Sequence, residues 1–334
     1  MSNQEIECHP FWNDYPVPDN LPPVIINDPT LPLVSIVTPS YNQGRFIRET
    51  IESVLNQDYP NIEYWVIDGG STDETLSILQ EYEHDPRFHW IGEKDDGQSD
   101  AINKGFCRCR GEIVAWLNSD DYYMIDALSY VATYFVQDKS LGMVYGDVQV
   151  VDKQSKYLQT RGAIVIQEFV IPIQPGCFFR KSAINKVGLI NTSFHYVMDT
   201  DIILKLTSNF DYICIPTTLA AIRTYNETKT SAFSSNFASE LIMVVNNILA
   251  HRDAYPRLMP LDEAKIKHNF YRLMSQYLYM GGEFGTSLYC LDRATRLCPY
   301  LIWDIAINEG YKWFLRRILT VGQYRFLSSG FRKK

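Results

Sequence analysis

Four polar residues, Asn118-Ser119-Asp120-Asp121, directly follow an apolar run over residues 112–117. The run is typical of a buried strand, and open α/β sheets bind ligands at the carboxyl ends of their strands. Two adjacent carboxylates repel each other, so they need solvent, hydrogen bonds or a cation close by. A divalent ion that bridges to a diphosphate would meet that need. The alternative is a plain turn in which Asp121 caps the following helix.

Asp68 lies at a second polar strand end, after a strand predicted over 62–67 and before Gly69 and Gly70. The glycines would let a ligand approach the backbone, and the carboxylate could accept hydrogen bonds from a ribose or a base. For Asp68 taken alone, a plain turn between strand and helix is the preferred interpretation. The sequence has neither a GxGxxG fingerprint nor a P-loop, which argues against a dehydrogenase or a nucleotidyltransferase.

Two further segments carry carboxylates at the predicted starts of helices. Asp95 and Asp96 precede a helix predicted from Gln98 to Cys109, whose positive amino end could face phosphates. Asp199 and Asp201 flank the start of an apolar helix. Helix capping and compensation of the helix dipole could explain either residue of the second pair.

Strands and helices alternate at short intervals through this part of the chain. Strands are predicted over 33–37, 62–67, 88–91, 112–117 and 143–148, and helices over 45–56, 73–82, 98–109 and 126–136. Ser71 or Thr72 is expected to cap the second helix. The alternation predicts an α/β fold with a parallel sheet and helices on both faces. Seven prolines in residues 1–32 predict an extended arm.

The composition is that of an ordinary globular protein, with 334 residues, 46% hydrophobic and 21% charged. A net charge of −8 argues against non-specific nucleic-acid binding, so no nucleic-acid partner is expected. The seven cysteines lack metal-like spacing and favour free thiols in a reducing compartment. The first residues are polar, and no apolar run approaches the ~18 residues of a membrane span, so we expect a cytoplasmic protein.

Four motifs between Val34 and Asp121 together resemble the inverting glycosyltransferases of family 2, within the nucleotide-diphospho-sugar transferase superfamily. The motifs are Val34–Asn42, Val66–Asp73, Asp96–Gly105 and Trp116–Asp121. A weaker likeness extends to about residue 232. The resemblance implies the GT-A fold, a Rossmann-like, mostly parallel twisted sheet flanked by helices, over residues 33–235.

The resemblance also implies roles in binding the donor. Thr38, Pro39 and Tyr41 match the loop that flanks the nucleobase, and Asp68 matches the carboxylate that contacts base or ribose. The residues expected beside the nucleotide and the donor sugar are Asp96, Gln98, Asp100 and Asn103.

At the metal loop, Asn118-Ser119-Asp120 matches the family's Asp-x-Asp motif. Asp120 is then the expected ligand of Mn²⁺ or Mg²⁺, and Asp121 is expected to help hold the ion. Asn118 and Ser119 are expected to lie beside the donor. Asn118 can still coordinate a metal ion or donate a hydrogen bond, but it lacks the charge of the usual Asp.

The remaining catalytic assignments come from two later segments. Asp199 matches the general base, with Met198 in place of the usual Glu, whereas Asp201 is expected to be structural.

Residues 221–231 resemble a loop that often reads Arg-x-His. Tyr225 stands at the His position, and a neutral phenol is a poor metal ligand. Arg223 or Lys229 could bind phosphate.

Residues 236–334 are predicted to form a helical C-terminal region, with helices over 240–252, 261–280 and 285–297. Two of these helices weakly resemble one tetratricopeptide pair. The final segment, 311–334, has seven Lys or Arg and no acid, interleaved with aromatic and aliphatic residues. It predicts either an interfacial amphipathic helix on an anionic membrane or a docking helix with a solvated basic face.

Together these features predict a metal-dependent inverting glycosyltransferase. Its donor would be a nucleotide-diphospho-sugar, with a UDP-sugar favoured by the resemblance. Its acceptor would be a hydroxyl of a saccharide or a lipid-linked substrate, in surface polysaccharide or glycolipid synthesis, with possible peripheral contact at the inner face of the membrane. The alternative is a non-catalytic nucleotide-sugar-binding or assembly subunit, which the departures at Asn118, Met198 and Tyr225 keep open.

Overall fold

The structure is a computed structural model that describes residues 15–166, 169–225, 234–280 and 282–299. These residues form two compact units, one of residues 15–225 with 250–259 and the other of residues 234–249 with 260–299. The first unit is a sheet flanked by helices and the second is helical, which confirms the predicted α/β class with a helical C-terminal region. The predicted domain boundaries, at 32/33 and 235/236, stay predictions.

The strands of the described residues are β1 Val34–Ser40, β2 Ile62–Asp68, β3 Phe88–Gly92, β4 Ile113–Trp116, β5 Tyr122–Tyr123, β6 Leu141–Val151, β7 Tyr157–Arg161, β8 Ile164–Ile166, β9 Phe169–Ile171, β10 Cys177–Arg180 and β11 Asp211–Arg223. The helices are α1 Ile47–Leu55, α2 Thr75–Glu81, α3 Gln98–Arg108, α4 Ala127–Gln137, α5 Lys181–Val187, α6 Met198–Asn209, α7 Ser234–Ala250, α8 Glu263–Met280 and α9 Phe284–Leu297.

Within the described chain, one sheet of nine strands runs in the order β3-β2-β1-β4-β10-β6-β11-β5, and β7 pairs with β6 outside this path. The β3-β2-β1-β4 half is parallel. The other half is mixed, because β10 runs antiparallel to both of its neighbours whereas β6 and β11 are parallel. The sheet is therefore less uniformly parallel than the sequence predicts.

The parallel half fixes where the candidate site lies. Every residue of β1, β2 and β4 is buried, as expected for strands covered on both faces. Ser40 pairs with Asp68, and Val37 pairs with Trp116. This register places the loops after the three strands, which contain the predicted site residues, at the same edge of the sheet.

One capping prediction and one capping alternative are wrong. Helix α2 begins only at Thr75, and it is Asp73 Oδ1 that accepts the Thr75 backbone N–H at 3.0 Å. Ser71 and Thr72 instead form hydrogen bonds with the preceding loop. Likewise Asp121 does not cap the following helix, because α4 begins only at Ala127.

Two predictions concern residues outside the described ranges, namely Lys229 and the basic segment 311–334. No helix in the described part of the chain is both long enough and apolar enough to cross a membrane.

Candidate active site

The loops after β1 and β2 are joined by backbone and side-chain hydrogen bonds. Asn42, in the left-handed region with φ 53°, donates its backbone N–H to Ser71 Oγ at 2.7 Å. Its side-chain oxygen accepts the Thr72 N–H at 2.8 Å, and the Gly44 N–H donates to Asp73 Oδ2 at 3.0 Å. Asn is one of the few residues that adopts this conformation readily. These bonds fix the two loops relative to each other at the site edge.

Asp68 is fully buried, and its carboxylate is used inside its own turn. Oδ1 accepts the backbone N–H groups of Gly70 and Ser71 at 3.0 and 2.8 Å, and Oδ2 accepts Ser71 Oγ–H at 2.6 Å. A carboxylate with three local donors is a typical Asx turn. The structure thus gives Asp68 a role in shaping the loop, and its contact with base or ribose stays a prediction.

The three residues assigned to the nucleobase loop differ in exposure. Thr38 is buried, and its hydroxyl is 2.9 Å from the Tyr64 hydroxyl. Pro39 is also buried, whereas Tyr41 is 60% exposed. Of the three side chains, only Tyr41 therefore presents a large surface that a base could contact.

Helix α1 and strand β11 form hydrogen bonds with the loop Asn118–Asp121. Thr50 Oγ–H is placed to donate to the carbonyls of Ser119 and Asp121, at 3.0 and 2.7 Å. Asp121 Oδ1 accepts the Arg223 backbone N–H at 3.1 Å, and Oδ2 accepts Asn118 Nδ2–H at 3.1 Å. Burial, followed by the charge of Asp120, raises the pKa of the Asp121 carboxyl well above its usual range. Asp121 therefore faces the interior, and a direct metal bond from it stays a prediction.

Asp120 is half-buried and is the more accessible of the two adjacent carboxylates. Its Oδ2 accepts the Tyr225 hydroxyl at 2.8 Å, so the residue at the family's His position contacts the expected metal ligand. Burial and the Asp120 charge raise the pKa of Tyr225, which keeps the phenol protonated as a donor. The described residues contain no cluster of three His, Cys, Asp or Glu side chains that could hold a metal alone.

This donor set fits a cation that is bound partly by the substrate. Mg²⁺ is usually held by one or two carboxylates together with substrate phosphates, rather than by a complete protein cage. Asp120 supplies one such carboxylate, and Asn118 supplies a neutral oxygen two residues away. The protein therefore has the ligands for an ion shared with a diphosphate.

Arg223 was predicted to bind phosphate, but its buried guanidinium has partners inside the protein. It donates to the Asp120 carbonyl, to Glu49 Oε2, and to Ser155 Oγ at 2.9 Å. The side chain is only 1% exposed, whereas Glu49 is 49% exposed. Arg223 thus supports the loop Asn118–Asp121 through these hydrogen bonds. Its binding of phosphate stays a prediction.

We expect Arg223→Met to lower the free energy of unfolding by about 2–4 kcal/mol, because it removes a buried guanidinium that donates to three acceptors around the loop Asn118–Asp121. Urea denaturation would measure the loss. The matched control is Arg48→Met, since Arg48 also forms an ion pair with a glutamate, Glu81, but on the exposed surface. The control should leave stability nearly unchanged. Equal losses in both variants would contradict the supporting role of Arg223.

Helix α3 contacts the metal loop and a later segment of the chain. Gln98 Nε2–H donates to Asn118 Oδ1 at 2.7 Å. Asn103 exchanges two hydrogen bonds with the backbone of Ile190, at 2.8 and 3.0 Å. Gln98 therefore contacts the loop that carries Asp120, and its place beside the donor stays a prediction, whereas the amide of Asn103 is occupied in joining two segments of the protein. A donor contact by Asn103 stays a prediction.

Asp96 and Asp100 lie at the start of α3, and the Asp96 backbone N–H donates to Asp100 Oδ2 at 3.0 Å. The side chain of Asp96 is exposed and that of Asp100 is buried. Asp100 thus shapes the loop before α3, and direct contact of either carboxylate with the donor stays a prediction.

Asp199 and Asp201 both lie in the first turn of α6 but in different surroundings. Asp199 is half-buried, and its Oδ1 accepts the Thr200 N–H at 2.7 Å. Its charge contributes to raising the pKa of Cys177, after burial, which places Asp199 near β10. Asp201 is fully buried, 2.7 Å from Lys205 Nζ, as expected of a structural residue.

The start of α6 is fixed to the start of α3. Ser99 Oγ–H lies 3.0 Å from the Phe194 carbonyl and 2.8 Å from Met198 Sδ. Met198, which replaces the family's Glu, thus has a packing role here. The contact links the helix that carries Asp199 to the helix that carries Gln98. Ser99 lies within the Asp96–Gly105 motif but has no role assigned by the resemblance. The supporting residues Glu49, Thr50 and Ser155 lie outside the motifs, so no sequence signal points to them.

Comparison with known proteins agrees with this architecture. The model of glycosyl transferase family 2 matches residues 35–194. Chondroitin synthase from Escherichia coli is 33% identical over 190 residues, 53% of this chain and 27% of that protein. The putative teichuronic acid biosynthesis glycosyltransferase TuaG from Bacillus subtilis is 46% identical over 99 residues, 29% of this chain and 39% of that protein. The chain thus spans well under half the length of these relatives.

Solved structures show the same fold at low sequence identity. S. aureus TarS 1-349 in complex with UDP-GlcNAc has a TM-score of 0.61 at 16% identity, covering 90% of this chain and 92% of that one. The mannosyltransferase PcManGT from Pyrobaculum calidifontis, in complex with GDP-Man and Mn²⁺, has a TM-score of 0.58 at 18% identity, covering 87% and 86%. Residues 35–194, just under half of the chain, thus match the glycosyl transferase family 2 model, and the likeness to these solved structures confirms the predicted GT-A fold.

Proposed function

We propose that the protein is a metal-dependent inverting glycosyltransferase that moves a sugar from a nucleotide-diphosphate donor to a hydroxyl acceptor. One observation carries the proposal. Asp120 stands at the carboxyl-end edge of the parallel strands as the accessible carboxylate of a loop that α1, α3 and β11 all hold. Ligands bind at this edge in open α/β sheets.

Asp120 and Asn118 would hold Mn²⁺ or Mg²⁺ against the diphosphate, with Asp121 shaping the loop behind them. When bound, the ion offsets the charge that develops on the diphosphate as the sugar–phosphate bond breaks. The Tyr225 hydroxyl donates to Asp120 Oδ2, so this phenol holds the carboxylate in position. Gln98, through Asn118, links the loop to α3.

Asp199 would act as the general base. Its half-buried carboxylate lies in the first turn of α6, where it can accept the proton of an acceptor hydroxyl. Attack by that hydroxyl opposite the leaving diphosphate inverts the anomeric centre in a single displacement, as in inverting sugar chemistry generally. Proton NMR of the product tests this step, and a retained configuration would overturn it.

The donor class is supported by the solved neighbours, which were obtained with UDP, UDP-GlcNAc and GDP-Man. A UDP-sugar remains the preferred donor for this chain. The relatives' names, chondroitin synthase and teichuronic acid glycosyltransferase, support a saccharide acceptor in polysaccharide synthesis, and a lipid-linked acceptor is the alternative. Peripheral contact with the inner face of a membrane is proposed on the basic composition of residues 311–334 alone.

The test is nucleotide release from a panel of UDP-, GDP- and dTDP-sugars, with Mn²⁺ or EDTA, with and without short saccharide acceptors. Metal-dependent release from one donor is expected. Nucleotide binding without release from any donor and acceptor would favour a non-catalytic nucleotide-sugar-binding subunit. The absence of any nucleotide binding would overturn the proposed site.

A further inference from the structure

The amino-terminal arm, residues 15–32, precedes the segment that matches the family, yet it is fixed to the first unit at several points. Asn61, fully buried, accepts the backbone N–H groups of Asn27 and Asp28 at 2.9 and 3.0 Å and donates to the Leu31 carbonyl at 2.8 Å. The Tyr59 hydroxyl donates to the Pro32 carbonyl. The carboxyl end of the arm is thus secured near the start of the sheet.

A second anchor lies further toward the amino end of the arm. The Arg110 guanidinium donates both to the Pro22 carbonyl and to Glu63, which is almost fully buried. Arg110 thereby holds the middle of the arm against the edge where α3 ends and β4 begins. The arm therefore runs along the domain as an extended strap, although its proline content by itself predicts only an extended segment.

The strap reaches the predicted donor segment through Tyr15. The Tyr15 hydroxyl donates to Asp100 Oδ1 at 2.8 Å, 85 residues away in the sequence. The other oxygen of Asp100 accepts the Asp96 backbone N–H at 3.0 Å and lies 3.1 Å from Lys104 Nζ. Lys104 also donates to the Lys94 carbonyl at 3.1 Å. Asp100 thus connects the strap to the loop over residues 93–97.

This connection has a direct consequence for the site. The loop over 93–97 leads into Gly97, at φ 110°, and then into Gln98, whose amide contacts the metal loop. Losing the Tyr15 bond would leave Asp100 freer to change rotamer, and the Asp96 N–H would lose its fixed acceptor.

We propose that Tyr15 is a positioning residue for donor binding, and that the strap orders the segment Asp96–Asp100 through the Tyr15–Asp100 hydrogen bond. The proposal rests on the proposed function, since it concerns the donor segment of the same site. Tyr15 itself has no assigned contact with substrate, and the proposed effect on the site passes through its bond to Asp100.

The test is Tyr15→Phe in the full chain, which removes one oxygen and keeps the ring. We expect the Kd for the donor nucleotide, UDP or the nucleotide that the panel identifies, to rise about three- to tenfold, part of the effect of one charged hydrogen bond. Donor KM should rise in parallel while kcat stays within about twofold. Hydrogen exchange of the 94–98 backbone should become faster even without nucleotide.

Tyr59→Phe is the matched control, because it removes the other phenolic hydrogen bond of the strap, at Pro32. It should lower stability without changing the nucleotide Kd. In an Asp100→Ala background, Tyr15→Phe should add almost nothing, since the two residues act in series.

The outcomes separate this proposal from the proposed function. If the unaltered protein binds nucleotide but Tyr15→Phe changes neither the Kd nor the 94–98 exchange, the strap proposal is wrong. Equal losses of affinity in Tyr15→Phe and Tyr59→Phe would also overturn it, because they would indicate a general effect of arm stability. If the unaltered protein binds no nucleotide, the proposed function fails, while the exchange measurement still tests the Tyr15–Asp100 link.

Discussion

Replacing Asp120 with asparagine should raise the Kd for Mn²⁺, measured in the presence of UDP, by more than about 100-fold, because changes in groups that only support a metal ligand already cost 10–100-fold. The variant should also lose about 10²–10³ in kcat. Metal ions contribute several kcal/mol to transition-state charge stabilisation, and each 1.36 kcal/mol is a factor of ten in rate. Electron paramagnetic resonance of Mn²⁺ gives the affinity independently of turnover.

Asp121→Asn is the informative comparison for this variant. The Asp121 carboxylate already accepts the Arg223 N–H and the Asn118 amide, so its loss should act mainly on the loop. We expect a lower free energy of unfolding and a smaller loss of metal affinity than in Asp120→Asn. Loss of Mn²⁺ binding in Asp121→Asn, with binding retained in Asp120→Asn, would reverse the assignment of the two carboxylates.

Asp199→Asn should lower kcat by about 10²–10⁴, the usual contribution of a general base. The Kd values for nucleotide and Mn²⁺ should remain unchanged, because Asp199 lies on α6 and is not one of the residues proposed to hold the metal and the diphosphate. The variant should fold normally, since the Asn side-chain oxygen can still accept the Thr200 N–H that Asp199 accepts. Single-turnover kinetics with a donor and a saccharide acceptor would separate the loss in chemistry from any loss in binding.

The control is Asp201→Asn, two residues away on the same turn. Asp201 is fully buried and paired with Lys205, so the change breaks a buried ion pair and should cost about 3–5 kcal/mol of stability. The folded molecules of this variant should catalyse the reaction at nearly the original rate. If Asp201→Asn stops turnover at full stability while Asp199→Asn stays active, the assignment of Asp199 as base is wrong.

The fold could be predicted well from the chain alone. Apolar runs that end in polar residues, and their alternation with helical periodicity, are local properties, and the four motifs from Val34 to Asp121 depend on local sequence. The antiparallel strand β10 inside the sheet was not predictable in this way. Its pairing with β4 and β6 joins segments far apart in the chain, and no local pattern records which strands become neighbours.

The candidate site was predictable only in part. Asp120 and Asp199 stand out because they match motif positions of the family, although capping alone could explain an Asp at a helix start. Arg223 illustrates the limit of such reasoning. A guanidinium group is well suited to bind phosphate. The partners of Arg223, Glu49 and Ser155, come from distant segments, and these contacts make it a buried residue that supports the loop.

The sequence by itself therefore determined the fold class, the family resemblance and the identity of the polar residues at the sheet edge, because these follow from residue type and short spacing. Only the tertiary structure decided which of those residues are engaged inside the protein. The amide of Asn103 is occupied by the backbone of Ile190, which belongs to a distant segment, and Asp120 remains half-buried beside Tyr225. The physical reason is that a buried polar atom must find a partner wherever the fold brings one, and long-range packing alone sets which partner that is.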